Sequence, residues 1–202
     1  MKKTLLLATM LTAIGSGSAM AASTPEGGQL NFYGKISTTT CSKIISSTNQ
    51  PGSQQTDGDI YLDTVAPAVV SDGLQAGAPG AAPTKFSITL DCSGAADVTE
   101  ATKASLKMDS NFRNSQGTLT NDISRVVSGE AAADNVAIAV HDETSGTVTQ
   151  MKIDGVDAHQ AQFNASKVAT YNFIASYVRA NASDVVTPGH VTTNATYTFT
   201  YQ

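Results

Sequence analysis

The sequence predicts a single all-β sandwich of six or more strands, and three observations carry that reading. In residues 192–202 threonines alternate with Ala195, Tyr197, Phe199 and Tyr201, a period of two that turns one face to a core and the other to water. Short alternations of the same kind recur along the chain, separated by turn-rich stretches such as Asn114-Ser115-Gln116-Gly117 and Thr144-Ser145-Gly146. The composition, with only 14% charged residues and no Trp, suits an exported β protein of many short turns.

In chain order, residues 1–21 read as a cleaved secretory leader. Lys2 and Lys3 supply its charge, residues 5–14 its apolar run, and Ala19-Met20-Ala21 its small-x-small cleavage pattern. Glycines and serines interrupt the run after about ten residues, too few for the roughly 20 that a bilayer span needs. The expected product starts at Ala22, is exported, and does not insert in a membrane. Its first alternation covers residues 27–33, with Gly28, Leu30 and Phe32 on one face, and Gly34 permits a kink before Lys35-Ile36-Ser37. A polar loop is expected over 44–57 and a short strand over 59–62, with Ile60 and Leu62 on the same side. Residues 65–83, punctuated by Pro67, Pro79 and Pro83, read as a long surface connection.

Strand patterns follow at 85–92, 103–108, 135–141, 149–153 and 168–178. In the last of these Tyr171, Phe173, Ala175 and Tyr177 alternate with smaller or polar residues. A helical pattern over 98–104 is too short and too rich in threonine to predict a helix. The roughly 180 residues after the leader suffice for one domain with its own core. The terminal strand has no later strand to shield its edge, and an apolar-faced edge must be covered or paired. The segment 22–33 carries Pro25, Glu26, Gly27 and Gly28 and makes a poor first strand for its own body. It is the natural candidate to complete the sheet of another molecule.

Cys41 and Cys92 both lie in the exported part, where an oxidising compartment favours a disulfide. Closing a loop of about 50 residues is worth roughly 4 kcal/mol by the chain-entropy argument. Cys92 shares parity with Phe86, Ile88 and Leu90 and continues the inward face of its strand. There is no C-x-x-C spacing and no histidine near either cysteine, which argues against a redox or metal-binding pair.

Removal of Lys2 and Lys3 takes the 12 basic residues to 10, against 17 acidic ones, a net charge of −7. The basic residues are scattered singly, so nucleic acid is not an expected partner. His141, His159 and His190 stand far apart and form no ligand or nucleophile motif. Asp57, Asp59 and Asp63 lack the turn glycine and distal glutamate of a calcium loop. No catalytic residue, cofactor or metal is predicted, and the chain does not read as an enzyme.

The motifs at the two ends, taken with the cysteines, resemble those of the fimbrial subunits, or pilins, of the chaperone-usher pathway, in particular the major subunits of type 1 fimbriae. Gly27-Gly28-Gln29-Leu30-Asn31-Phe32-Tyr33-Gly34 is similar to the family's donor segment, followed at the expected distance by Cys41. Residues 84–92 resemble its second cysteine strand, and Asn194-Ala195-Thr196-Tyr197-Thr198-Phe199-Thr200-Tyr201-Gln202 resembles its C-terminal signature, with the penultimate tyrosine.

The resemblance implies an incomplete immunoglobulin-like sandwich that lacks its C-terminal strand and is completed by a donor strand from another subunit. It divides the chain into a leader (1–21), an N-terminal donor extension (22–33) and a pilin domain (34–202). Gly28, Leu30 and Phe32 would enter a neighbour's groove. Ala195, Tyr197, Phe199, Tyr201 and Gln202 would form the acceptor strand that a periplasmic chaperone also recognises. The implied partners are copies of itself or sibling pilins joined head to tail, the chaperone, and an outer-membrane usher. The implied destination is an adhesive fimbria on the cell surface. A reading of a different class is a self-contained secreted β-sandwich that binds carbohydrate, as an adhesin does. It would favour aromatic-rich binding loops, whereas most Tyr and Phe here lie in predicted strands.

Overall fold

The computed structural model describes residues 41–49, 57–70, 73–124 and 129–201. The leader, the donor extension with Gly28, Leu30 and Phe32, and Gln202 lie outside the described residues. Among those described, nine strands form: β1 (Ser42–Ser47), β2 (Ala81–Asp91), β3 (Lys103–Asp109), β4 (Leu119–Thr120), β5 (Val136–Asp142), β6 (Thr149–Met151), β7 (Ala158–Gln162), β8 (Val168–Arg179) and β9 (Thr196–Tyr201). Among the described residues the one helical element is a 3-10 turn at Pro67–Val69, inside the predicted connection.

The longest ladder joins the two longest strands. β2 runs antiparallel to β8 from Asp91 opposite Val168 to Thr84 opposite Ala175, and the register then slips before Ala81 meets Tyr177. Pro83 falls in that slip, where a residue without an N–H does least damage to a sheet. The larger sheet has the order β1-β2-β8-β5-β4, with β6 also on β5; the smaller has the order β7-β3-β9. Every ladder in both sheets is antiparallel. The inner faces meet in one core. Ile88, Leu90, Tyr171 and Phe173 come from the larger sheet, and Ala104, Leu106, Met108 and Ala161 from the smaller. This is the all-β sandwich that the sequence predicts.

Several elements differ from expectation. Residues 44–47, predicted as loop, belong to β1 and pair with β2 from Ser42 opposite Asp91 to Ser47 opposite Phe86. Adjacent isoleucines broke the alternation on which the reading relied, yet Ile45 is buried. Residues 59–62, predicted as strand, form none; Ile60 and Leu62 still pack side by side against the core, so the facing is right and the ladder is missing. The strands β4 and β7 were not anticipated, because one has two residues and the other, Ala-His-Gln-Ala-Gln, lacks β-branched or aromatic residues. No helix forms over 98–104.

The strand pattern at 135–141, with its period of two at Val136, Ile138 and Val140, forms β5, and every residue of β5 is buried on both faces. A second apolar layer explains it: Leu74, Val178 and Ala180 gather with Ala137 and Ala139. The connection before β2 thus folds back over the larger sheet. Cys41 and Cys92 form the disulfide, fixing the start of β1 to the end of β2.

Candidate functional site

The alternation at the end of the chain folds as β9, which pairs only with β3 among the described residues. Tyr197 stands opposite Met108, Phe199 opposite Leu106, and Tyr201 opposite Ala104. All three β3 partners are buried, and the aromatic face of β9 turns toward them, with Tyr197 and Phe199 half-buried and Tyr201 exposed at the strand's end, while Thr196, Thr198 and Thr200 face out and are exposed. The rings continue into the larger sheet. Phe199 lies 5.7 Å from Tyr171 and 5.5 Å from Tyr197, Tyr171 lies 6.1 Å from Phe173, and Phe173 lies 5.3 Å from Phe86. Tyr201 meets Phe163 at 6.5 Å. Offset and tilted contacts at such distances each add about 0.5–1.5 kcal/mol beyond the area they bury. β9 is therefore held to the body by its side chains as much as by its ladder.

Beside this strand lies a cleft of about 300 Å³. β1 contributes Ile45, β2 contributes Phe86 and Ile88, β3 contributes Met108 and β9 contributes Tyr197. Its two walls end in unpaired strand edges, since β1 bonds only β2 and β9 bonds only β3 among the described residues. An apolar trough between two free edges is the receptor that an extended peptide with alternating apolar side chains requires.

Residues 57–62 also line the cleft, through Gly58, Ile60 and Leu62. A Cβ on Gly58 would sit 2.6 Å from Ile45 Cγ2, so the absence of a side chain lets this segment lie against β1. Asn49 tethers it, donating from Nδ2 to the Tyr61 carbonyl at 2.7 Å. On the other wall, burial and the negative charge of Asp57 together push the Tyr197 phenol pKa up, and burial alone does so for Tyr201. Both phenols stay neutral through the physiological range.

Of the residues that the sequence nominates, the structure brings Tyr197, Phe199 and Tyr201 onto one inward face. Ala195 precedes β9 and is exposed on the cleft's rim. The contributions of Ile45, Gly58, Ile60 and Leu62 were not nominated. The parity of Ile60 and Leu62 was the available signal, but a wall made by two chain segments distant in sequence leaves none for Ile45. Among the described residues no group of three or more His, Cys, Asp or Glu is placed to hold a metal ion.

A family model described as fimbrial protein matches residues 30–202. No curated protein sequence matches the chain. Among solved structures, a chain of a chaperone-usher pilus studied for rod uncoiling aligns with a TM-score of 0.55 and 19% identity, covering 88% of this chain and 97% of that one. The rod subunit PapA of the P pilus aligns with a TM-score of 0.45 at 18% identity, covering 87% and 100%. The CupB6 tip adhesin from Pseudomonas aeruginosa aligns with a TM-score of 0.43 at 20% identity. That match covers 58% of this chain, which spans 30% of the adhesin's length. At such identities the likeness is one of fold, and the first of these alignments carries it.

Proposed function

The chain belongs to the fimbrial protein family, whose members are structural rather than catalytic, and on that premise we propose that it is a pilus subunit that polymerises by strand donation. The observation that supports this reading is the apolar cleft between the edges of β1 and β9 that are unpaired among the described residues. In the proposed division of the chain, residues 1–21 are the leader, 22–33 the donor extension and 34–202 the pilin domain. Leu30 and Phe32 of one subunit fill the cleft of the next, and Gly28 sits where a side chain would crowd the partner. The wall that receives them is β9, with Tyr197 in the cleft, Phe199 and Tyr201 further along the same face, and Ala195 at the rim.

Main-chain hydrogen bonds along the free edges supply affinity, and the alternate side chains in the cleft supply register. Donor and cleft are different surfaces of one subunit, so the contact does not close on itself and generates a filament. Before assembly a periplasmic chaperone occupies the same cleft with a strand of its own. An outer-membrane usher then exchanges it for the next subunit's extension, and the product is a surface fimbria that supports adhesion.

The test is thermal unfolding of the oxidised subunit lacking residues 22–33, with and without a synthetic peptide of those residues. A large rise in melting temperature that the Phe32→Asp peptide fails to give is the expected result. A subunit already stable and indifferent to the peptide would return the protein to the class of self-contained secreted binding domains. In the full chain, Phe32→Asp is expected to stop filament growth while leaving a soluble chaperone complex. Loss of that complex would contradict the assignment of Phe32 to the donor.

A further inference from the structure

On the side of the sandwich away from the cleft, β7 is the other edge of the smaller sheet, and His159 stands on it opposite Leu106 of β3. Its ring crosses to the larger sheet. Nδ1 lies 2.5 Å from Oδ2 of Asp142, the last residue of β5, and Nε2 lies 3.2 Å from Oδ2 of Asp157. The side chains of His159 and Asp142 retain only 13% and 10% of their exposure.

Both carboxylates are themselves held in place. Asp142 Oδ1 accepts the Thr144 main-chain N–H at 2.7 Å, and Asp157 Oδ2 accepts that of Lys152 at 2.8 Å. A neutral imidazole has one N–H to donate, and here each ring nitrogen faces a carboxylate oxygen. Only the imidazolium satisfies both at once.

We propose that Asp142, His159 and Asp157 form an acid-strengthened latch between the two sheets, closed by protonation of His159. Other titratable and charged groups on the elements around it are Lys103, Lys107 and Asp109 of β3, His141 of β5, Lys152 and Asp154 in the turn before β7, and Tyr171 of β8, whose buried phenol feels the charge of Asp142. Glu143, next to Asp142, is engaged by Lys85 at 2.9 Å.

The hydrogen bond to Asp142 outweighs burial and raises the His159 pKa above its ordinary value. Burial pushes the Asp142 carboxyl up, but the bonds from His159 and Thr144 more than offset it and leave the group below its usual range. A raised histidine contributes stability that is complete below about pH 6.5 and is lost as pH rises through its folded pKa. A depressed aspartate contributes stability that is complete above about pH 4 and is lost as pH falls through its folded pKa. The latch is therefore fully closed between roughly pH 4 and 6.5 and loosens on the alkaline side.

The experiment follows the imidazole signals of the three histidines by NMR across a pH titration of the full exported chain, with His159→Gln to assign one of them. The same samples are unfolded thermally at pH 5.5 and 8.5. His159 titrating above pH 6.5, and a melting temperature that falls by roughly a few degrees toward pH 8.5 in the wild type but not in His159→Gln, are the expected results. A His159 that titrates at or below 6.5, or an unchanged slope in His159→Gln, overturns the proposal. Asp157→Asn preserves an acceptor for the Lys152 N–H and keeps the test decisive if His159→Gln does not fold. It should lower the titration of His159, and an unchanged titration also overturns the latch.

Discussion

At the scale of single residues, close approach and side-chain reach decide more than hydrophobicity does. Gly80 donates its N–H to Ser176 Oγ at 2.8 Å, and a Cβ there would lie 2.1 Å from the Tyr177 carbonyl oxygen and 2.9 Å from Val178 Cγ1. Backbone cannot yield as a flexible side chain can, so Gly80→Ala should destabilise the subunit by about 1–3 kcal/mol, seen as a lower urea midpoint with an unchanged slope. An unaltered midpoint would mean that the start of β2 moves freely. Nothing in the sequence distinguishes Gly80 from the other glycines of its loop, because the contact is with a strand 97 positions later. Tyr197 and Phe199 were legible because their role follows from parity along one strand. His159 was not, since its partner Asp142 sits in the other sheet and only the packing of the two sheets brings them together.

At the scale of elements, each strand's place in its sheet fixes how readily it opens. β8 lies between β2 and β5, both ladders are long, and Tyr171 and Phe173 are fully buried. Among the described residues β9 has one neighbour and a free edge. Amide hydrogen exchange should therefore be slowest in β8 and much faster in β9. If a donor strand fills the cleft, adding a peptide of residues 22–33 should slow exchange across Thr196–Tyr201 and leave β8 nearly unchanged. Equal protection of β9 with and without peptide would count against the cleft as receptor.

The strands legible in advance are those with a clear period of two or a long β-branched and aromatic run, β5, β8 and β9 among them. β1 and β7 were illegible for the same physical reason: Ser-Lys-Ile-Ile-Ser-Ser and Ala-His-Gln-Ala-Gln gain their strand conformation from β2 and β3 rather than from their own preferences.

At the scale of the whole molecule, the ends of the chain's elements set the geometry of any polymer. β1 begins and β2 ends at the disulfide, residues 92–102 lead to the start of β3, and Ala104 there pairs with Tyr201 at the end of β9. The exit toward the N-terminal extension and the end of β9 thus share one pole. If subunits join head to tail by strand donation and the extension leaves the domain at that pole, the incoming donor runs antiparallel to β9 and enters the cleft from the Thr196 end. That constraint was not readable from the sequence, although both terminal motifs were, because it depends on which pole each strand starts from. Replacing both cysteines by serine should cost roughly 4 kcal/mol and lower the melting temperature by about 10 °C, measured against the oxidised wild type. A negligible change would show that the sheets alone fix β1.

The same cross-link decides how the subunit bears tension. A chain pulled from its N-terminal side delivers the load to Cys41, and the bond hands it directly to Cys92, 51 positions later. The polypeptide between them, with both β1 and β2, stays out of the force path. A stretch that would otherwise pay out roughly 170 Å of slack on unravelling is thereby locked away. Even a subunit torn open under load would lengthen by that much less, keeping the strand that walls one side of the cleft bound to its neighbour.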